Sequence, residues 1–128
     1  VLKNFWLFAA CSWTVFIAIM CLISFNDLPK VSVGNIDKFV HAGFYFLLTI
    51  FWYIYLRIGG RTVSSAQILF MIVAVAGIYG IAIEFAQAAF TKTRQADMFD
   101  AVANFSGSVT AAILISVYVR FVKRQVNR

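Results

Sequence analysis

One histidine occurs in the chain, His41. It stands four residues after Asp37 and four before Tyr45, with Lys38 alongside. On a helix Asp37, His41 and Tyr45 share one face. Asp37 then serves as the N-cap or lies in the first turn, where the helix dipole favours negative charge. A carboxylate one turn from an imidazole orients it and favours its charged form, so the pair reads as a positioned acid/base or an anion-binding histidine. The plainer alternative is a histidine packed between helices against its i+4 partner. A second block puts Glu84 and Gln87 three residues apart, with Gly80 one turn deeper on the same face. Glu84 would lie about 9 Å below a helix end near Phe90. An unpaired carboxylate at that depth would protonate, and a paired one marks either a site or a hydrogen-bonded strut. In a third block Arg94 precedes Asp97, Asp100, Asn104, Gly107 and Ala111, whose successive steps of 3, 4, 3 and 4 make a helical seam. The seam is polar in its first half and small in its second, where a neighbouring backbone can approach closely. Arg94 reads as a guanidinium partner for Glu84, as an anion binder, or as a charge at the lipid headgroups.

The elements that carry these blocks follow from composition. Of 128 residues 62% are apolar and 12% charged, against roughly 45–50% and about 25% in soluble domains. Four runs are nearly free of charge: Phe5–Phe25, Phe39–Leu56, Thr62–Ile83 and Ala101–Val119. Each is long enough to cross a bilayer as a helix, and four segments cannot close a barrel. The expected fold is all-α, a polytopic bundle of four transmembrane helices at about 5–25, 37–57, 64–90 and 98–119, forming a single domain over 1–128. Asn26–Pro29 and Arg57–Arg61 read as turns. A cleaved signal peptide fits the first run poorly, because its apolar stretch is longer than the usual 7–15 residue core. Cys11 and Cys21 lie in one run about 15 Å apart on a helix, too far for a disulfide, and read as small buried residues.

Charge asymmetry orients the bundle. Lys3, Arg57, Arg61, Arg120, Lys123, Arg124 and Arg128 fall on one side with no acidic residue, and Lys30, Lys38, Lys92 and Arg94 on the other. The positive-inside rule places both termini in the cytoplasm, and Trp6, Trp52, Tyr53, Tyr55 and Tyr118 fall near that interface. All five acidic residues (Asp27, Asp37, Glu84, Asp97 and Asp100) then belong to the outer half. Ionisable groups in spans are costly, by about 2.5–3.5 kcal/mol at a helix centre, and three distant helices bringing them to one membrane face points to a binding, relay or catalytic role.

The three blocks, Asp-Lys-x-x-His-x-x-x-Tyr at 37–45, Glu-x-x-Gln at 84–87 and Arg-x-x-Asp-x-x-Asp-x-x-x-Asn-x-x-Gly at 94–107, resemble the VanZ-like family of small bacterial membrane proteins. The likeness covers about Ile36 to Ala111; the first span matches only in position and hydrophobicity. The resemblance implies a multi-pass protein of the bacterial cell (inner) membrane. The family's namesake is associated with resistance to teicoplanin, a glycopeptide with a lipid tail.

The expected function is an outer-face polar site, on the periplasmic or extracellular side, that binds an anionic or amphipathic envelope molecule such as a lipid-linked cell-wall precursor or a lipopeptide antibiotic. Its ligand-binding candidates are Asp37, Lys38, His41, Tyr45, Glu84, Gln87, Arg94, Asp97, Asp100 and Asn104, with Lys38 and Arg94 meeting phosphate or carboxylate. Gly80, Gly107 and Ala111 are assigned to helix packing. A membrane enzyme is the alternative, with His41, Glu84 and Asp100 as catalytic candidates and Arg94 stabilising charge, as is a structural assembly subunit. No cofactor is expected and no metal, because a single histidine makes a poor transition-metal set. Membrane lipids are the expected partners. The basic residues are scattered over membrane flanks, which argues against nucleic acid, and no Gly-rich phosphate loop follows a strand.

Overall fold

The computed structural model describes residues 1–23, 36–60, 62–90 and 97–127. Four helices account for nearly all of them: α1 Leu2–Leu22, α2 Ile36–Ile58, α3 Ser65–Phe90 and α4 Met98–Val126. There is no strand among the described residues. All four helices are long and apolar enough to span a membrane, so the chain is a multi-pass membrane protein. The expected spans coincide with the helices to within a residue or so except at three ends. α1 begins at Leu2 and ends at Leu22, and α4 continues to Val126 rather than stopping near 119. An apolar run measures the membrane, whereas a helix can continue beyond it. Lys123 and Arg124 lie in the last turn of α4, where the dipole favours cations.

Local chemistry sets the helix boundaries. α3 opens with a reciprocal capping box: the Ser64 hydroxyl accepts from the Gln67 N–H, and Gln67 Oε1 accepts from the Ser64 N–H, both at 3.2 Å. Between α2 and α3, Gly60 adopts φ +67, the left-handed conformation that ends a helix and that glycine enters without a Cβ clash. Asp37 lies in the first turn of α2, one of its two expected places.

α2 packs against all three other helices, and α1 meets α2 and α3 but not α4. The α2–α4 approach is the closest, and Gly107 explains it. A Cβ there would run into the Ala42 carbonyl group, 2.8 Å from its carbon and 2.9 Å from the Ala42 Cα. The seam therefore faces the interior as expected, with Asp100, Asn104, Gly107 and Ala111 buried along it. Ser108, outside the expected set, is also buried and donates to the Tyr45 carbonyl at 3.5 Å.

α1 is held through its polar atoms. Trp13 Nε1 donates to the Phe44 carbonyl at 2.9 Å, and Trp52 Nε1 to Thr14 Oγ1 at 3.2 Å. The Tyr79 hydroxyl donates to the Thr14 carbonyl at 2.6 Å. Cys21 is buried, but Cys11 is exposed on α1, contrary to the expectation that both pack inside. Tyr53 is buried in the core and Trp52 is partly buried against it. The end of the bundle built from Tyr53, Leu56, Ile68, Leu69 and Ile72 is apolar. The other end, at the start of α2 and α4 and the finish of α3, gathers the described acidic residues together with Lys38 and His41.

Candidate functional site

Three helices build the polar end. From α2 come Asp37, Lys38, His41 and Tyr45, from α3 Gly80, Glu84 and Gln87, and from the N-cap and first two turns of α4 Asp97, Asp100 and Asn104. Asp97 caps α4, its Oδ1 accepting from the Phe99 N–H at 2.8 Å. That cap is legible as an acidic residue three positions before a second one at the head of an apolar run. The capping bond to the Phe99 N–H, and next the ammonium of Lys38, hold the Asp97 carboxyl below the usual carboxylate range. The backbone N–H of Asp97 donates to Glu84 Oε2 at 3.3 Å, which ties the end of α3 to the start of α4.

Lys38 Nζ sits between two acids, 3.2 Å from Asp97 Oδ2 and 3.3 Å from Asp100 Oδ1, with the Phe99 ring centroid 5.8 Å away. Lys38, a candidate to meet a ligand phosphate, is shared with two carboxylates, so an anion would meet it as part of that cluster. Asp100 divides its oxygens. Oδ1 takes Lys38, and Oδ2 lies 3.9 Å from His41 Nε2. Asp37 Oδ1 lies 3.9 Å from the same nitrogen. Across the ring, His41 Nδ1 is 3.1 Å from Asn104 Oδ1. An amide oxygen can only accept, so in this arrangement Nδ1 carries the proton and Nε2 faces both carboxylates.

Deeper in the bundle, three buried polar atoms have no hydrogen-bond partner among the described residues: Tyr45 OH, Glu84 Oε1 and Asn104 Nδ2. The first and third crowd Gly80, where a Cβ would lie 3.3 Å from each. Gly80 thus lets α3 approach α2 and α4. Gln87 donates through Nε2 to the Cys21 carbonyl at 2.8 Å. That carbonyl belongs to the last turn of α1, whose oxygens lack intrahelical donors, so Gln87 ties α3 to the end of α1. Arg94 lies outside the described residues.

The cluster therefore joins Glu84, Asp97, Lys38, Asp100, His41 and Asn104 in one chain of contacts, with Asp37 beside the imidazole. His41 and Asp100 are buried, whereas the Asp37 side chain is 55% exposed and Lys38 34%. Next to Lys38 a groove of about 530 Å³ runs between α2 and α4, lined by Phe39, Ala42, Phe99, Ala103 and Ser106. Sequence reasoning did not find it, since Phe39, Phe99 and Ser106 carry no motif and their convergence depends on the crossing of α2 and α4. A second, apolar groove of about 430 Å³ lies among α1, α2 and α3, with Thr14, Trp52, Met71 and Tyr79 in its walls. Comparison with family models, curated proteins and solved structures found no match to this chain.

Proposed function

We propose that the polar end binds the headgroup of an amphipathic envelope molecule whose tail lies in the α2–α4 groove. One observation carries this reading: a charged, partly exposed cluster stands at the mouth of an otherwise apolar, lipid-facing groove, within the about 300–1,000 Å³ typical of ligand sites. The headgroup that fits must bring both kinds of partner. Lys38 offers an ammonium to a phosphate or carboxylate, while Asp37, Asp97 and Asp100 accept from hydroxyl or amino groups. A phosphorylated sugar or amino alcohol has that mixture, and a lipid-linked cell-wall precursor or a lipopeptide belongs to the same class. The VanZ-like pattern of the three motif blocks supports an envelope role, and the Lys and Arg bias supports an outward-facing site with both termini in the cytoplasm.

The test blocks the groove and leaves the charges alone. Ser106 is exposed and its hydroxyl bonds only within its own helix, to the Ala103 carbonyl. Ser106→Trp should fill the groove while the fold survives. Native mass spectrometry of wild-type protein, gently extracted from membranes, is expected to show a retained lipid of one headgroup class, and Ser106→Trp to lose it with an unchanged melting temperature. Equal retention by both proteins would overturn the reading.

A further inference from the structure

We infer that Asp37, His41 and Asp100 form a binding site for one divalent metal ion of the Mn²⁺ or Zn²⁺ class. The inference concerns atoms beside the groove and does not depend on a lipid being bound there. His41 Nε2 lies 3.9 Å from Asp37 Oδ1 and from Asp100 Oδ2. One ligand atom from each residue lies within 4.8 Å of the other two. Neither 3.9 Å separation is a hydrogen bond. Ligand atoms about 2.1 Å from a common ion stand about 3–4 Å apart, so a small cation fits where no direct contact is made.

Three further features belong to a metal site rather than to an ion pair. First, the Asn104 carbonyl on Nδ1 fixes the ring and leaves Nε2 as the coordinating nitrogen, the outer-shell arrangement that metal-bound histidines use. Second, Asp100 already holds Lys38 through Oδ1, which orients Oδ2 toward the imidazole. Third, Glu84 is 5% exposed with no partner on Oε1 among the described residues, and its carboxyl acts electrostatically on His41, Asp97 and Asp100. Charge points the same way. Among the described residues Glu84, Asp97 and Asp100 bring three carboxyls against the single ammonium of Lys38 and the imidazole. One nitrogen and two carboxylate oxygens suit Mn²⁺ or Zn²⁺, and the exposed side of Asp37 leaves positions open to water.

The test uses the full chain in detergent, stripped with a chelator and titrated with Mn²⁺ followed by electron paramagnetic resonance, with Zn²⁺ calorimetry in parallel. Wild type should bind one ion per chain, with nitrogen hyperfine coupling from the imidazole. Asp37→Asn, at an exposed side chain that leaves the fold intact, should weaken binding at least tenfold. His41→Gln should remove the nitrogen coupling, with melting curves confirming a folded protein. A wild type that takes up neither ion, or variants that bind as it does, would overturn the site. Lipid retention measured on the chelated protein keeps the two proposals apart: lipid kept by a protein that binds no metal refutes this inference and leaves the groove reading standing.

Discussion

The two ends of the bundle use the same helices for different purposes. At the apolar end Tyr53, Leu56, Ile68, Leu69 and Ile72 close the contact, and the Tyr53 hydroxyl is satisfied by Ser65 at 3.2 Å. At the other end α2, α3 and α4 meet through Asp37, Lys38, His41, Glu84, Asp97, Asp100 and Asn104, and three buried polar atoms have no partner among the described residues. Buried polar groups are ordinarily paired, and an orphan costs about 1–3 kcal/mol. A bundle selected only for stability would repeat the apolar solution at both ends. The difference supports the proposed function: one end is closed by apolar packing, and the other keeps buried polar atoms without a partner, which a ligand would satisfy.

Substitutions can break or sharpen that contrast, beginning with the largest effect. Gly107→Leu, at the α2–α4 contact just below the polar cluster, should prevent folding. Its cost should exceed the about 1–3 kcal/mol of ordinary overpacking, because the obstacle is the Ala42 backbone and not a side chain that can rotate. Gel filtration in detergent should show aggregate in place of the monodisperse wild type. Ile68→Ala, at the apolar end, should cost about 2 kcal/mol. That is the low end for such a truncation, since lipid is as apolar as the core and only packing is lost. Its melting temperature should fall while ligand and metal binding stay intact. Asn104→Leu removes the acceptor on His41 Nδ1 and should cost about 1 kcal/mol of stability, yet weaken metal binding more than any apolar-end change does. Comparing melting curves with Mn²⁺ titrations for these two variants would show stability and binding moving separately. The smallest effect is a pH dependence. Asp97 titrates below the ordinary value of 3.8, so its cap and lysine contacts contribute fully above that value and fade as pH falls through the lowered one. Melting curves from pH 7 to pH 3 should show that loss in the wild type and not in Asp97→Ala.

Much of this architecture was legible from composition and periodicity, and the reasons are physical. A hydrocarbon core imposes a length on each apolar run, so four spans could be counted. The four-residue spacing of His41 and Tyr45 and the 3-4-3-4 seam of α4 from Asp100 onward marked faces that turn inward, while Asp37, one turn earlier on the same face, stays exposed. Gly107 marked a close approach, although its partner, Ala42, carries no signal that a sequence could show. Pairing between helices was not legible. That Lys38 chooses Asp97 and Asp100, that Asp100 turns one oxygen to His41, and that Gln87 reaches the end of α1 all depend on helix rotation and crossing. Exposure of Cys11 was missed for the same reason, since an apolar residue suits lipid and core equally well. The first helix carries no motif, and its anchoring through Trp13 and Thr14 could be seen only in three dimensions.

The central claim is that the polar end selects a ligand rather than merely cementing helices. Photocrosslinking in intact membranes tests it most directly. Phe39 lines the α2–α4 groove and is 77% exposed, while Phe85, near the same end of α3, is 70% exposed and outside the groove. Both should meet bulk lipid to a similar degree. With a photoreactive phenylalanine at each position in turn, position 39 should capture one enriched headgroup class and position 85 the bulk lipid mixture. The same lipid mixture captured at both positions would contradict the account.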